Sequence, residues 1–167
     1  MSLEIAIISN TIAYEKDFRR LNEAWISTYF QLEESDIELL NNPQKFILDK
    51  GGVIFIALLD GQVVGCCALI VHEHFTCELA KLAVDPNFQG QGIGLLLAST
   101  LIKKAKQLSF KNIFLEGSTK LPASISLYRK LGFKEIIDEK SSDCICHKRC
   151  NVLMEYIITS SPVDCLG

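Results

Sequence analysis

Three glycines stand close together in the run Gln89-Gly90-Gln91-Gly92-Ile93-Gly94, where a strand-like stretch gives way to a helix-like one. The stretch before the run, Glu78 to Val84, has the composition of a strand, and apolar residues after it recur in steps of three and four, which is typical of one buried helix face. Glycines at such a junction leave backbone N–H groups unshielded at the positive end of the helix dipole, where phosphate oxygens bind without a basic side chain. The run therefore predicts a site for a phosphorylated ligand.

The spacing of the glycines narrows the choice of ligand. A dinucleotide-binding fingerprint needs a third glycine where this chain has Leu95 or Leu97, and a P-loop needs Lys and then Ser or Thr directly after Gly94. The spacing that fits is Gln/Arg-x-x-Gly-x-Gly/Ala, matched by Gln89, Gly92 and Gly94. Because a short pattern of this kind also arises by chance, a glycine-rich turn without a ligand remains an alternative at this point.

A second motif follows about thirty residues later, in Leu127-Tyr128-Arg129-Lys130-Leu131-Gly132-Phe133. Pro122 to Leu131 is typical of a short helix, Gly132 suits the left-handed residue that ends it, and Phe133 can pack back on the last turn. In order and separation, the two motifs resemble the pyrophosphate loop and the Leu-Tyr-x-x-x-Gly-Phe signature of the GCN5-related N-acetyltransferase (GNAT) family. The resemblance covers most of the chain and is especially to stand-alone bacterial members.

The resemblance implies the fold, the reaction and its partners. It implies a single α/β domain over residues 1–160, followed by a short tail at 161–167, with a mixed, mostly antiparallel central sheet and helices on both faces. The implied reaction is N-acetyl transfer, in which a primary amine of a small molecule or a peptide attacks acetyl-CoA directly in a ternary complex. Acetyl-CoA would be the co-substrate, and no metal is expected.

The resemblance also assigns the residues that would hold the cofactor. The backbone of Gln89 to Gly94 would bind the pyrophosphate, and a backbone N–H within Leu82-Ala83-Val84 would stabilise the oxyanion. Family members often carry an asparagine ahead of the tyrosine helix, where this chain has Leu121. Ser124, at a position usually held by alanine, offers a replacement hydroxyl.

Two side chains are predicted to move protons. A lysine-like amine is neutral only about once in 10³–10⁴ molecules at pH 7, so a base assists transfer, and the departing thiolate gains from an acid. By resemblance, Tyr128 would be that acid, although without the motif a tyrosine that packs beneath the helix, with its hydroxyl at the surface, would be the better interpretation. Glu78 is the candidate base, since in an unbulged strand it shares a face with the apolar Leu82 and Val84, where desolvation would raise its pKa. A solvent-facing glutamate at the end of the sheet is the alternative.

The acceptor amine is expected beside residues 25–36. In the family, the segment after the first strand lines the acceptor side of the cleft. The candidate acceptor residues here are two aromatic and two acidic side chains, Trp25, Tyr29, Glu33 and Glu34. Aromatic faces and carboxylates suit a positively charged amine. Alternatively, the aromatic pair belongs to a core stripe and the acidic pair lies at the solvated start of a helix.

Two groups of cysteine and histidine residues have side chains that could bind a metal or take part in catalysis. Cys144, Cys146, His147 and Cys150 are potential metal ligands, but their spacing lacks the paired C-x₂-C arrangement of most structural zinc sites. We therefore expect no metal there. The run His72-Glu73-His74 lies near a strand junction and is typical of an exposed loop.

The predicted elements place these residues in one α/β domain, in the order β-α-α-β-β-β-α-β-α-β-β. Asp60-Gly61 predicts a two-residue hairpin. Ser35 and Glu38 form a capping-box pattern at the second helix, and Pro43 indicates a further helix start. Cys66-Cys67 lies in an apolar run and is expected in the core.

Composition limits the class of protein. A chain of 167 residues is one domain by length, and a net charge of −3 argues against nucleic acid as the main partner. The sequence has neither a long apolar run nor a signal peptide pattern, so no membrane partner is expected. Seven cysteines without such a signal predict reduced thiols in the cytoplasm. A monomer and a homodimer are both compatible with the sequence.

Two other functions remain open. A non-catalytic acyl-CoA-binding or sensor domain would keep the glycine run, although Tyr128 weighs against it. A structural module would carry the same run as an empty turn. Acetyl-CoA turnover with an amine would eliminate the sensor, and CoA binding would eliminate the empty turn.

Overall fold

The computed structural model describes residues 2–8, 13–136 and 147–159, so the predicted tail at 161–167 and the side chains of Cys144 and Cys146 lie outside the described residues. The strands are β1 (Leu3–Ile8), β2 (Val53–Leu59), β3 (Gln62–Val71), β4 (Thr76–Val84), β5 (Asn112–Gly117), β6 (Lys134–Glu135) and β7 (Val152–Ile157). The helices are α1 (Glu15–Tyr29), α2 (Glu34–Asn41), α3 (Pro43–Phe46), α4 (Ile93–Gln107) and α5 (Pro122–Leu131), with 3₁₀ turns at Leu48–Lys50 and Pro86–Phe88. The predicted order of elements is confirmed, including the helix that begins at Pro43.

The seven strands of the described residues form one sheet in the order β1-β2-β3-β4-β5-β7-β6. Every described pairing is antiparallel except that of β4 with β5, so the mixed, mostly antiparallel sheet is confirmed. The hairpin between β2 and β3 turns at Asp60 and Gly61, whose φ angles of 49° and 81° are those of the tight turn that this dipeptide predicts.

Helices cover both faces of the sheet. One buried cluster joins α4 and α5 to the sheet through side chains such as Leu97, Leu101 and Ile125. The other joins α1 to the opposite face, with Phe18 and Leu21 at its centre. The cysteines Cys66 and Cys67 are fully buried on opposite faces, as small core residues. In the described parts of the chain, no helix combines the length and hydropathy needed to cross a bilayer.

Strand β4 carries a bulge that the unbulged prediction did not include. Two of its residues, Lys81 and Leu82, stand opposite the single residue Cys67 of β3, and Lys81 has a left-handed φ of 56°. Past the bulge the alternation is reset, so Leu82 and Val84 pack towards α4 and α5. Glu78 precedes the bulge and lies on the other face, because its neighbour Leu79 belongs to the α4 cluster. The predicted shared face of Glu78, Leu82 and Val84 is therefore wrong.

The parallel pairing of β4 with β5 is short, and its end opens the sheet. It joins only Thr76 to Glu78 with Asn112 to Phe114, although β4 continues to Val84 and β5 to Gly117. Beyond Glu78 the two strands diverge, which leaves a gap in the sheet and backbone groups along β4 without a β5 partner. This gap is the foundation of the candidate site.

Helix α2 begins two residues earlier than the Ser35–Glu38 capping box predicts. Its N-cap is Glu33, whose side chain accepts from the backbone N–H of Asp36 while the Asp36 carboxylate accepts from the N–H of Glu33 at 2.9 Å. The prediction of the cap residues is wrong because Asp36 is fully buried and its position is set by ion pairs with other elements.

Candidate active site

A cleft of about 590 Å³ opens where β4 and β5 diverge. Its walls come from the bulged half of β4, the start of α4, helix α5, the end of α1 and the segment before β7. The candidate cofactor and catalytic residues that line it are Glu78, Leu82, Ala83, Val84, Gln89, Gly90, Gly92, Ile93, Gly94, Ser124 and Tyr128. Among the predicted cofactor residues only Gln91 does not line it. The cleft therefore collects residues from distant parts of the sequence.

The glycine loop, Gln89 to Gly94, caps one end of the cleft. Gly90 and Gly92 have φ angles of 78° and 80°, which glycine adopts without strain, and Gly92 is the N-cap of α4. The first N–H groups of α4 have no intrahelical acceptor, so they and the helix dipole create an anion site. The Gln89 side chain braces the loop by donating to the Val84 carbonyl at 3.2 Å. The loop has the geometry that a pyrophosphate needs.

Gly94 lies where α4, α5 and β4 converge. A Cβ built on Gly94 would meet Leu127 Cδ1 at 3.7 Å and Val84 Cγ2 at 3.8 Å, which are ordinary contacts. The position therefore tolerates a methyl group, while a longer side chain would enter the cleft. This fits the Gly/Ala choice in the sequence pattern.

The backbone of Leu82 to Val84 forms the edge of the gap. Its other edge pairs with β3, where Val84 faces Gly65 and Ala83 faces Cys66. Across the gap, β5 makes no ladder with this part of β4. An extended ligand could lie in the gap like an added strand and hydrogen bond to the backbone of this part of β4. One N–H of this backbone could then face a developing oxyanion.

Tyr128 projects from α5 into the cleft and is 8% exposed. Its ring packs edge-on against Phe133 at a centroid distance of 6.0 Å, and Gly132 ends the helix with a φ of 107°. The Phe133 N–H donates to the Tyr128 carbonyl at 3.0 Å, so the predicted helix end is confirmed. Burial raises the pKa of the Tyr128 phenol, and the nearby thiols Cys67 and Cys150 add to the effect. The phenol therefore stays protonated and can act only as an acid at neutral pH.

Glu78 lies at the point where β4 and β5 part. Its Oε1 is 2.8 Å from Nε2 of His72, and its side chain is 14% exposed. The His72 ring also packs against Phe114 at 4.9 Å, which fixes the histidine beside the carboxylate. His74, in contrast, is almost fully exposed. The predicted exposed histidine pair is confirmed, although the His72 ring also hydrogen bonds to Glu78 and orients it.

The acceptor side of the cleft is lined by the two predicted aromatic residues but by neither of the predicted acidic ones. Trp25 and Tyr29 line the cleft together with Phe30, whose ring meets Trp25 edge-on at 6.4 Å. Trp25 is half-buried, whereas Tyr29 is exposed, so Tyr29 is not a core residue. Glu33 accepts from Arg149 at 3.2 Å, and Glu34 is exposed and outside the cleft lining. Neither carboxylate is therefore directed at the cleft interior as predicted.

A buried ion cluster behind this wall was missed by the sequence interpretation. Asp36 is fully buried and binds Lys81 Nζ at 2.6 Å through Oδ1. Arg149 grips the same carboxylate with Nη1 at 2.7 Å and Nη2 at 2.8 Å. Burial alone would raise the Asp36 pKa, but hydrogen bonds from His147, Arg149 and Lys81 outweigh it and hold the pKa well below its usual range. The only sequence signal was Lys81, a charge inside an apolar strand.

His147 links this cluster to the end of β5. Its Nδ1 is 2.8 Å from Glu116 Oε2, and its Nε2 is 3.4 Å from Asp36 Oδ1. These two carboxylates raise the His147 pKa to about 9, so the ring carries a positive charge at neutral pH. Cys150 lies close by, and burial together with the Glu116 charge raises its pKa to about 12. His147, Arg149 and Cys150 come to the cleft because the segment before β7 crosses its floor.

Comparison with known proteins identifies the family. The model of the acetyltransferase (GNAT) family matches residues 15–133. Human N-acetylaspartate synthetase is 29% identical over 119 residues, which are 71% of this chain and 38% of that protein. The uncharacterized N-acetyltransferase YjgM of Escherichia coli K12 is 32% identical over 107 residues, which are 62% of this chain and 63% of that protein. The chain thus spans less than two thirds of the length of either relative.

Solved structures show the same fold. A GNAT-family acetyltransferase from Staphylococcus aureus Mu50 superposes with a TM-score of 0.82 at 21% identity, covering 93% of this chain and all of that one. N-acetylglutamate synthase from Neisseria gonorrhoeae, in complex with coenzyme A and N-acetylglutamate, superposes with a TM-score of 0.71 at 19% identity, covering 96% of this chain and 36% of that one. Since the family model spans well over half of the sequence, the chain belongs to the GNAT acetyltransferase family, as its two motifs predicted.

Proposed function

We propose that this protein transfers an acetyl group from acetyl-CoA to the primary amine of a small molecule. The observation that carries the proposal is that one cleft holds both the glycine loop, which suits a pyrophosphate, and the buried Tyr128 phenol, which suits a leaving thiolate. A structural module would need neither feature. The N-acetyltransferase names of its relatives agree with this reaction.

The cofactor would bind along the gap in the sheet. Its pyrophosphate would meet the N–H groups at the start of α4, and its pantetheine arm would lie against the free edge of Leu82 to Val84. Ser124, at the start of α5, offers a hydroxyl to the same ligand, in place of the family's asparagine at Leu121. This pose brings the thioester towards Tyr128, since α5 lines the same side of the cleft.

Proton movement would follow from the environment of two side chains. Glu78, held by His72, would take a proton from the incoming amine, directly or through water, before attack on the thioester carbon. A backbone N–H of β4 would stabilise the tetrahedral oxyanion. As this intermediate collapses, the C–S bond breaks and Tyr128 would give its proton to the sulfur of CoA.

For the acceptor, we propose an amine that also carries a carboxylate. The cleft lining includes the cationic Lys81, His147, Arg149 and Lys120 as well as the carboxylates of Glu78 and Glu116, of which Glu116 is paired with His147. The carboxylates of Glu33 and Asp36 are outside the lining and are paired with Arg149 and Lys81. Lys81 has three donors, of which Asp36 takes one, and Lys120 stands exposed at the rim over the Phe30 ring. The names of two relatives, N-acetylaspartate synthetase and N-acetylglutamate synthase, refer to acidic amino acids. The sequence-based alternative is a cationic amine that uses Glu33 and Glu34.

A panel of acceptors in a thiol-release assay tests this choice. Aspartate and glutamate should be acetylated faster than their amides or a diamine of similar length. Lys120→Gln should raise KM for the dicarboxylic acceptors severalfold, whereas Lys111→Gln, at an exposed lysine outside the cleft lining, should not. A preference for the diamine that Glu33→Gln or Glu34→Gln abolishes would reverse the assignment.

The location and the catalytic competence are also proposals. The described cysteines Cys66, Cys67, Cys77 and Cys150 are all free thiols, which supports the reducing cytoplasm that the sequence predicts. A sensor domain would bind CoA in the same loop without turnover. Tyr128 supports the enzyme over the sensor, because a sensor has no leaving thiolate to protonate.

A further inference from the structure

Three side chains at the floor of the cleft have the types and spacing of transition-metal ligands. They are Glu116 at the end of β5, and His147 and Cys150 in the segment before β7. One carboxylate oxygen, one ring nitrogen and the thiol sulfur all lie within 4.8 Å of one another. All three residues are half-buried and line the cleft.

The distances between the three ligand atoms are close to those around a bound zinc ion. Tetrahedral zinc with bonds of about 2.0–2.3 Å holds neighbouring ligand atoms roughly 3.3–3.7 Å apart. Glu116 Oε2 and His147 Nδ1 are 2.8 Å apart, so this pair must open slightly, while the thiol must approach by at most about an ångström. Side-chain rotations supply movements of this size without a change in the backbone.

The outer contacts of His147 also fit a metal ligand. Histidines that ligate metals through one nitrogen usually direct the other towards a carboxylate, which fixes the ring. Here Nδ1 faces the cluster, and Nε2 is 3.4 Å from Asp36 Oδ1. Asp36 is itself held by Lys81 and Arg149, so the ring is oriented before an ion arrives.

We propose that Glu116, His147 and Cys150 bind a zinc ion whose fourth coordination position opens into the cleft. A thiolate, an imidazole and a carboxylate together suit zinc, whereas calcium and magnesium require oxygen ligands. Entry of the ion displaces two protons, the one between Nδ1 and Oε2 and the one on the Cys150 sulfur. A simple ion pair would explain why Glu116 and His147 are close together, but it would not involve Cys150. A contribution of the Cys150 thiol therefore distinguishes a metal site from an ion pair.

The position gives the ion a consequence for activity. Arg149, which is next to Cys150 in the chain, lies over the Trp25 ring at 5.7 Å, so the three ligands are adjacent to the proposed acceptor end of the cleft. Zinc there would compete with the amine and inhibit transfer reversibly. This consequence rests on the proposed function, while binding of the ion does not.

Titration of the metal-free full chain tests the binding. Zinc alone, in competition with a chromophoric chelator, should bind with one high-affinity site per chain, and cobalt should show a thiolate charge-transfer absorption. Cys150→Ser and Glu116→Gln should each weaken zinc binding at least tenfold, with circular dichroism confirming the fold. The double variant Cys144→Ser and Cys146→Ser should bind as the parent does. Unchanged affinity in Cys150→Ser, or loss only in the double variant, overturns the proposal.

An activity measurement separates this proposal from the proposed function. Zinc should inhibit acetyl transfer by the parent protein, competitively with the amine, and a chelator should restore it. Lack of turnover with every amine would contradict the proposed function but leave the titration result standing. Tight zinc binding at the three residues without inhibition would keep the site and refute its overlap with the acceptor.

Discussion

At Tyr128, burial decides which proton the side chain can handle. The phenol is held in its neutral form by an apolar setting against Phe133 and by nearby thiols. A phenol that cannot ionise is unsuited to act as a base but retains a proton for a departing thiolate. The motif predicts the position of the tyrosine, and the packing explains its protonation state.

Tyr128→Phe should lower kcat by about 10- to 100-fold, the low end of what one general acid contributes, and leave CoA affinity unchanged. Steady-state kinetics and calorimetry measure the two effects separately. Tyr156→Phe is a matched control, because Tyr156 packs against the same Phe133 but does not line the cleft. Loss of CoA binding with normal kcat would mean that Tyr128 is a packing residue.

The proposed role of Glu78 as the base predicts a change in the pH dependence of the reaction. Glu78→Gln should abolish the acidic limb of the kcat/KM profile against pH, because the titrating carboxylate is gone. His72→Gln should keep the limb but lower kcat, since the amide can still hydrogen bond to Glu78 but lacks the ring that packs against Phe114 and orients the carboxylate. A limb that persists unchanged in Glu78→Gln would assign deprotonation to another group or to bulk water.

Between the elements, the bulge in β4 has the largest effect on the site. The bulge directs Lys81 to the face of the sheet that α2 covers, where it pairs with Asp36. It directs Leu82 and Val84 to the face that α4 covers. The same half of β4 diverges from β5, so the bulge and the gap occur together. The start of α4 then closes the end of the gap with the glycine loop.

The glycine loop can be tested by charge without a change of size. Gly94→Glu and Gly94→Gln place side chains of equal length at the start of α4, and the acidic one should favour the helix dipole. We expect Gly94→Glu to bind CoA at least tenfold more weakly than Gly94→Gln, because the carboxylate repels the pyrophosphate. Gly94→Ala should bind as the parent does. If calorimetry finds equal CoA affinities for the Glu and Gln variants, the pyrophosphate does not bind at this loop.

Local signals predicted elements well, and long-range contacts explain what was missed. Asp60-Gly61 and Gly132 act through their own backbone angles, so their turn and helix end were predictable from sequence. The bulge at Lys81 depends on the register with β3, which no short window contains. The approach of His147 to Glu116 depends on how the segment before β7 crosses the cleft. The glycine loop and Tyr128 could therefore be predicted from the sequence, but the buried ion cluster around Asp36 and His147 could not.

For the whole molecule, the buried ion cluster around Asp36 and His147 makes the free energy of unfolding depend on pH. His147 has a folded-state pKa of about 9 against an ordinary value of 6.5. A raised pKa contributes stability that is fully present below about 6.5 and is lost as pH rises through about 9. Asp36 has the opposite shift, so its contribution is present at neutral pH and lost only in acid.

Urea unfolding in the presence of a chelator should show this loss. Between pH 6 and pH 8, below the range in which unfolded thiols ionise, the free energy of unfolding should fall by up to about 2 kcal/mol in the parent protein. His147→Gln should start less stable and show a much flatter dependence over the same range. His74→Gln, at an exposed histidine, should follow the parent. A parent curve as flat as that of His147→Gln would contradict the charged state assigned to this ring.

Catalysis of acetyl transfer from acetyl-CoA to an amine can be measured with a label in the acetyl group. The protein is incubated with acetyl-CoA labelled in the acetyl group and with the acceptor panel, and products are separated by mass spectrometry. We predict label in an N-acetylated amine, in equal amount to the CoA thiol released, and neither product without an acceptor. Tight binding of acetyl-CoA with no label on any amine would contradict the enzyme and identify the chain as a CoA-binding sensor of the same fold.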